Sequence, residues 1–213
     1  MNNKLYNSDG TIKAENISRK EWLHHIQACS VVACDSDHEL GEIIKWFMQG
    51  KSSHIEIYLG HGKNMVASAE AEGFRLKRLY RNFSDLKVHI RIYAKRNLTV
   101  EEAEKVKGKC WELLCDDKGY DFLAVPRKAI YGIIERLNDW LGTEIPKPKW
   151  ADLDDPDRAV CNERVMEAFG AIDVKIVASS VAYEESAPRD VNNYMESDEA
   201  KNEGWYVAAE WNC

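Results

Sequence analysis

The chain has 213 residues, of which 45% are hydrophobic and 31% charged, and its formal net charge is −7. A chain of this length can bury an ample core and is most simply one domain. The negative charge argues against a nucleic-acid partner, because proteins that bind nucleic acid concentrate lysine and arginine. No apolar run approaches the roughly 20 residues that a membrane helix needs. Residues 1–9 also lack the apolar core of a signal peptide, so we expect a cytoplasmic protein.

The cysteine spacing predicts neither a metal site nor a disulfide framework. No two cysteines form a C-x-x-C pair, and no pair of histidines three to five residues apart accompanies them. A chain this long does not need disulfides to stabilise it. We therefore expect a reduced protein with no metal and no cofactor. Three cysteines lie within apolar patterns that are typical of core thiols: Cys29, Cys110 and Cys115.

The first part of the chain predicts an arm, a short helix and a buried strand. Residues 1–17 are polar and irregular. Ser18 and Glu21 have the spacing of a capping box, and one apolar face follows, formed by Trp22, Leu23 and Ile26. Residues 28–34 are a continuous small-apolar run that suits a buried strand. Apolar residues at helical spacing then predict a helix over 40–48.

The stretch 51–60 is the most regular strand pattern near the centre of the sequence. Ile55, Ile57 and Leu59 alternate with His54, Glu56 and Tyr58. Glycines flank the stretch, and residues 65–67 can pair back on it as a hairpin. Two further runs, 74–79 and 87–93, predict more strands.

The second half of the chain predicts helices that alternate with loops and strands. Thr99 and Glu102 form another capping box, and the helix after them has one apolar face, made of Ala103, Val106, Cys110, Trp111 and Leu114. Pro126 opens a second long helix that Gly142 ends; its predicted inward residues are Ala129, Ile130, Ile133, Ile134, Leu137 and Leu141.

The last third predicts a loop, a helix and two strands. Residues 144–158 form the loop, and the helix runs from Cys161 to Phe169 before Gly170. Cys161, Val165 and Phe169 are four residues apart, which places the cysteine on the buried edge of the first turn. Strands are predicted over 174–177 and 205–211. The whole pattern indicates an α+β fold, with a mainly antiparallel sheet packed against helices.

Cys161 and His54 are the residues that could carry chemistry. The N-terminus of a helix stabilises a thiolate over a thiol, and a nearby imidazole lowers the thiol pKa further and carries protons. The same backbone N–H groups can hold an oxyanion. The residues alone leave a second interpretation open, in which Cys161 is a small core residue and His54 a surface residue.

Several segments resemble the NlpC/P60 superfamily in the same order along the chain. Residues 53–60 (SHIEIYLG) resemble its "sHvgIYlG" strand, and residues 66–74 its "viEA…eGv" segment. Residues 119–122 are similar to "G..YDf", 161–165 (CNERV) to "CSElv", and 187–190 to a late "sP.dl". Since the histidine precedes the cysteine, the order resembles the circularly permuted branch of YiiX/YaeF-like proteins, related to lecithin retinol acyltransferase.

This resemblance implies a permuted papain-like fold with Cys161 as nucleophile and His54 as general base. We expect residues 1–27 to form an arm and a short helix, and residues 28–213 to form a single permuted domain. In the family a third polar residue, Glu or His, orients the imidazole. That position aligns with Ser68, or with Ala67 if the hairpin is one residue shorter, while Glu70 and Glu56 are alternatives that would contribute a charge.

The expected function is that of a cysteine hydrolase or acyltransferase that cleaves an amide or ester through an acyl-enzyme. Peptides, including those of peptidoglycan, amides and lipid esters are the substrate classes that the resemblance implies. The alternative is a catalytically silent member that uses its cleft for binding or host interaction, and that could come from a phage. The absence of an acid at the aligned third position favours this alternative, whereas His54 and Cys161 favour the enzyme.

Overall fold

The strand that begins at His54 lies inside an eight-stranded sheet in which every neighbouring pair of strands is antiparallel. The fold was obtained as a computed structural model, which describes residues 2–36, 52, 54–60, 64–70, 73–79, 88–116, 119–120, 130, 133–134, 136–138, 140–146, 158–181 and 186–212.

The sheet has the strand order β2-β1-β10-β7-β3-β4-β5-β6. These strands are β1 (Asn2–Tyr6), β2 (Ile12–Glu15), β3 (Ser30–Ser36), β4 (His54–Gly60), β5 (Met65–Glu70), β6 (Gly73–Arg78), β7 (Val88–Lys95) and β10 (Trp205–Asn212). Two short strands, β8 (Gly119–Tyr120) and β9 (Arg158–Ala159), form a separate parallel pair.

Five helices have defined bounds among the described residues: α1 (Arg19–His24), α2 (Val100–Cys115), α3 (Cys161–Gly170), α4 (Pro188–Glu196) and α5 (Asp198–Asn202). The described residues between 130 and 141 are also helical. Both predicted capping boxes lie at helix starts: the Oγ of Ser18 accepts from the Glu21 amide at 3.2 Å, and Thr99 and Glu102 cap each other reciprocally. Within the described parts of the chain, no helix is both long and apolar enough to span a bilayer.

The sheet separates two apolar cores. On one face, Ile55 and Ile57 of β4 join a cluster that includes Cys161, Val165 and Phe169 of α3. On the other face, a second cluster includes Tyr58. At its centre, Trp22 of α1 packs edge-on against Trp211 of β10, with 5.5 Å between the ring centroids. Because β4 is covered on both faces, its position is constrained and the first residue of the strand is held firmly.

The α+β architecture with a mainly antiparallel sheet is confirmed, and most predicted elements are present. Strands occupy the predicted runs that became β3 to β7 and β10, and the hairpin joins β4 to β5. The helix that begins at Cys161 also runs as predicted, and Cys161 itself is buried. The predicted helix over 40–48, and Pro126 and Ala129 of the later helix, lie outside the described residues.

Two predictions about irregular and extended segments were wrong. The first 17 residues are not an irregular arm, because β1 pairs with β10 and buries Asn3 and Leu5. Residues 174–177 do not form a strand, although Ile176 is buried in the core. That segment uses its apolar side chains to pack beneath α3 without joining the sheet, so packing rather than strand pairing determines its path.

The predicted apolar faces of two helices need correction. On α2 the buried residues are Val106, Cys110 and Leu113, whereas Trp111 is 54% exposed. Cys115 is exposed, and it is therefore not a core thiol, unlike Cys29 and Cys110. In the later helix, three residues that were predicted to face inward are exposed by more than a third of their surface: Ile133, Leu137 and Leu141.

Candidate functional site

Cys161 is the first residue of α3 and is only 3% exposed. The helix starts here because the Glu163 carboxylate accepts a hydrogen bond from the Val160 amide at 3.0 Å, which satisfies one of the free donors at the helix start. Next to the cysteine, the Asn162 amide donates to the Ser186 carbonyl oxygen at 3.0 Å and anchors α3 to the segment before α4. The sulfur is therefore held at a well-anchored helix N-terminus.

His54 begins β4, and its side chain is 22% exposed. One ring nitrogen, Nε2, lies 2.7 Å from the Ser68 Oγ and 3.3 Å from the Glu56 Oε1. Ser68 and Glu56 are both fully buried. The imidazole is therefore oriented by a hydroxyl on the neighbouring strand and by a carboxylate two residues along its own strand.

The structure brings His54 and Cys161 together. Burial on its own lowers the pKa of His54, but the charge of Cys161, a hydrogen bond with Cys161 and the adjacent Glu56 raise it to about 10. A histidine with a raised pKa holds its proton at neutral pH, and the partner that benefits is a thiolate. The arrangement is therefore suited to a thiolate–imidazolium pair.

Glu56 is the charged centre on the other side of the imidazole. Its Oε1 also lies 2.5 Å from the Lys77 Nζ on β6, and the Cys34 thiol on β3 donates weakly to its Oε2 at 3.9 Å. Burial on its own raises the pKa of Glu56, but the hydrogen bond from His54 and the charge of Lys77 outweigh burial and lower that pKa to about 2. Glu56 is therefore ionised throughout the neutral range.

Of the three predicted orienting residues, the structure places two at the imidazole. Ser68, which the alignment favours, makes the shorter contact with Nε2. Glu56 also reaches the ring, although two residues separate it from His54 on one strand. Glu70 ends β5, paired with Gly73 of β6, and the side chain of Glu70 lies outside the described residues.

The competing candidates lie elsewhere or outside the described residues. His89 is on β7, which β3 separates from β4, and His61 lies outside the described residues. The described residues contain no group of three or more His, Cys, Asp or Glu side chains that could hold a metal ion. Of the aspartates that could suggest a cation site, Asp35 lies on β3; the others, Asp37, Asp154, Asp155 and Asp157, lie outside the described residues.

Sequence reasoning missed Lys77 and Cys34 as neighbours of the site. Cys34 pairs with His54 across β3 and β4, and Lys77 pairs with Val66 across β5 and β6. Alternation within each strand gives the correct face. The contacts of Cys34 and Lys77 with Glu56 depend in addition on strand order and register, across 22 and 21 positions of the sequence. The signals in the sequence were a lysine within the strand predicted over 74–79 and a cysteine at the end of the strand predicted over 28–34.

No protein-family model and no curated protein matches the sequence. The structure is similar to the crystal structure of metalloprotein yiiX from Escherichia coli O157:H7, with a TM-score of 0.48 and 15% sequence identity. The match covers 86% of this chain and 89% of that chain.

Proposed function

We propose that this protein is a cysteine hydrolase or acyltransferase that cleaves an amide or ester bond through an acyl-enzyme on Cys161. The observation that carries the proposal is the hydrogen bond between Cys161, at the N-terminus of α3, and His54. A nucleophile, a base and groups that orient the base are the three parts that such a site requires. Here they come from α3, β4 and β5.

In the acylation step, the Cys161 thiolate attacks the carbonyl carbon of the substrate, and a carbon–sulfur bond forms. The negative charge moves to the carbonyl oxygen, where backbone N–H groups at the start of α3 can stabilise it. The Nε2 of His54 faces Ser68 and Glu56, which leaves Nδ1 for the sulfur. Collapse of the intermediate breaks the bond to the leaving amine or alcohol, which takes its proton from the imidazolium.

In the second step, neutral His54 acts as base. Water, or an alcohol or amine in the acyltransferase variant, attacks the thioester while His54 removes its proton. Cleavage of the carbon–sulfur bond releases the acyl product and restores the thiolate–imidazolium pair. Glu56 supports both steps because its negative charge stabilises the imidazolium form.

The proposal extends to the permuted papain-like arrangement that the sequence resembles, with residues 1–27 as part of the same domain because β1 and α1 pack into the sheet and its core. The substrate class follows from the same chemistry: a peptide or other amide, or a lipid ester, each of which presents an acyl carbonyl. No residue of the proposed mechanism requires a metal or an organic cofactor.

A second candidate function is binding without turnover. The observation that favours it is the burial of Cys161, which leaves 3% of the residue exposed. A site of this kind would hold a ligand in the cleft without forming a covalent bond to it. The two functions therefore differ in whether the sulfur is ever acylated.

Acylation can be tested with an activated ester, p-nitrophenyl acetate. We expect a burst of nitrophenolate and an acetyl group on Cys161, detected by peptide mass mapping after an acid quench. Cys161→Ser and His54→Gln should abolish the burst. Cys115→Ser, which removes an exposed thiol outside the site, should leave it unchanged. An acetyl group on Cys115 with none on Cys161 would support the binding function instead.

A further inference from the structure

Lys77 belongs to the polar group around His54, although it lies two strands away. It is on β6, in register with Val66 of β5, which in turn pairs with Tyr58 of β4. Val66 and Tyr58 share one core, on the face of the sheet that also carries Glu56. The lysine side chain is 22% exposed, so most of it is covered by protein.

The lysine and the histidine contact the same oxygen atom. Oε1 of Glu56 lies 2.5 Å from the Lys77 Nζ and 3.3 Å from the His54 Nε2. The two nitrogens are therefore less than about 6 Å apart, which is close enough for one charge to shift the titration of the other. Since Glu56 is fully buried, solvent screens this interaction weakly.

We propose that Lys77 is a positioning residue that acts through Glu56: it divides the carboxylate's charge between itself and His54, and so sets how strongly His54 holds its proton. This inference rests on the proposed function for its catalytic meaning. A carboxylate paired with His54 alone would stabilise imidazolium more strongly, which favours the thiolate but makes His54 a poorer base for the second step. Lys77 balances these two demands.

Among the described residues, other groups near the imidazole come from the strands and the helix next to β4. Cys161 approaches from α3, Ser68 from β5, and Cys34 is paired with His54 across β3. Replacing Cys161 with alanine removes the strongest of these influences, because Cys161 is the main group that raises the pKa of His54. The effect of Lys77 can then be measured without the coupled thiol.

The test is the titration of the His54 ring, followed by nitrogen-15 NMR in a Cys161→Ala background, with His54→Gln used for assignment. We expect Lys77→Met to raise the midpoint of the His54 titration by on the order of one pH unit, because the imidazolium then has Glu56 to itself. Lys77→Arg keeps the positive charge and should leave the midpoint near that of the Cys161→Ala protein. In a Glu56→Gln background only the direct repulsion between Lys77 and the imidazolium remains, so Lys77→Met should shift the midpoint of the His54 titration less than it does beside Glu56.

The inference would be overturned if Lys77→Met left the midpoint of the His54 titration within about 0.2 pH unit of the Cys161→Ala value. An equal shift of that midpoint with and without Glu56 would overturn it as well. If Lys77→Met fails to fold because it leaves Glu56 without its cation, Lys77→Gln replaces it. The double variant Glu56→Gln/Lys77→Met, which removes both charges, is then compared with Glu56→Gln alone. The titration needs no turnover, so its result is independent of the acylation test. Loss of coupling refutes only the role of Lys77, whereas absence of acyl-enzyme refutes the proposed function.

Discussion

At the scale of single residues, the imidazole of His54 is held between a sulfur on one side and a carboxylate and a hydroxyl on the other. Ser68 makes the shorter contact with Nε2, at 2.7 Å, but a hydroxyl carries no charge to stabilise imidazolium. Glu56, at 3.3 Å, carries that charge and is fully buried. We infer that Ser68 orients the ring and that Glu56 determines its protonation.

This division of roles predicts different effects for the two substitutions. Glu56→Gln should raise the apparent pKa for alkylation of Cys161 by about one unit, because the imidazolium that stabilises the thiolate loses its counter-charge. Ser68→Ala should lower the alkylation rate with a smaller shift in pH dependence. The measurement is the rate of iodoacetamide alkylation against pH.

Glu70→Gln is the matched control, since it removes a carboxylate from the same strand as Ser68. We expect its rate of Cys161 alkylation to depend on pH as it does in the protein without substitutions. A larger shift from Glu70→Gln than from Glu56→Gln would mean that Glu70 is the orienting acid.

At the scale of secondary-structure elements, the start of α3 decides where the sulfur lies. The Glu163 carboxylate caps the Val160 amide at 3.0 Å, and both residues are buried. Water cannot readily replace this partner, because a buried amide has little access to solvent. The cap therefore holds the first turn, and Cys161 with it.

Glu163→Ala should destabilise the protein by about 1–3 kcal/mol, the usual penalty for a buried donor left without its partner. It should also slow the alkylation of Cys161 at pH 6, because the first turn loses its anchor. Glu102→Ala removes the equivalent cap from α2, where the Glu102 carboxylate accepts a hydrogen bond from the Thr99 amide at 2.8 Å, and should cost about 1 kcal/mol without affecting alkylation. Urea unfolding measures the loss of stability, and the rate of iodoacetamide alkylation at pH 6 measures the reactivity of Cys161. Equal slowing in both variants would show that general destabilisation, not local anchoring, controls reactivity.

Periodicity predicted an element correctly where its segment has one clear hydrophobic pattern. It predicted less well where a neighbouring element determines which residues are paired or buried. The alternation of His54, Glu56 and Tyr58 gave the face of β4 correctly, and spacing gave the buried start of α3. The register between β4 and β5 shifts near Gly60, and no local pattern encodes such a shift. The contact between Lys77 and Glu56 depends on that register, so it could not be predicted.

The errors have similar causes. On α2, residues 111 and 113 point to different sides of the helix, and the packing of α2 against α3 and β6 determines which side is covered. Leu113 is buried, while Trp111 is 54% exposed. In the first 17 residues, short strands with many polar side chains resemble a loop until β10 provides a pairing partner.

At the scale of the whole molecule, the sheet carries a fully buried carboxylate, Glu56, on the face of the core that contains Tyr58. Glu56 is fully buried and its pKa is lowered to about 2. A group whose pKa is depressed on folding stabilises the native state above its unfolded pKa, here 4.5, and loses that contribution as the pH falls towards 2. The site is therefore linked to the acid stability of the fold.

The free energy of unfolding should fall between pH 4.5 and about 2, and Glu56 alone can contribute up to about 1.4 kcal/mol per pH unit. Glu56→Gln should reduce this slope, because glutamine does not titrate. Glu104→Gln, which alters an exposed ion pair with Lys107 on α2, should leave the slope unchanged. Urea unfolding at several pH values between 2 and 4.5 measures how the free energy of unfolding changes with pH. The same slope with and without Glu56 would contradict the assigned ion pairs.

The central claim is that Cys161 is an activated nucleophile, and competitive alkylation tests it most directly. The protein is treated with limiting iodoacetamide at pH 6, and the modification of each of the six cysteines is followed by peptide mass mapping. We expect Cys161 to react at least about ten times faster than the exposed Cys115, and His54→Gln to remove this preference. Reaction of Cys115 first, with Cys161 unmodified until the protein unfolds, would contradict the account.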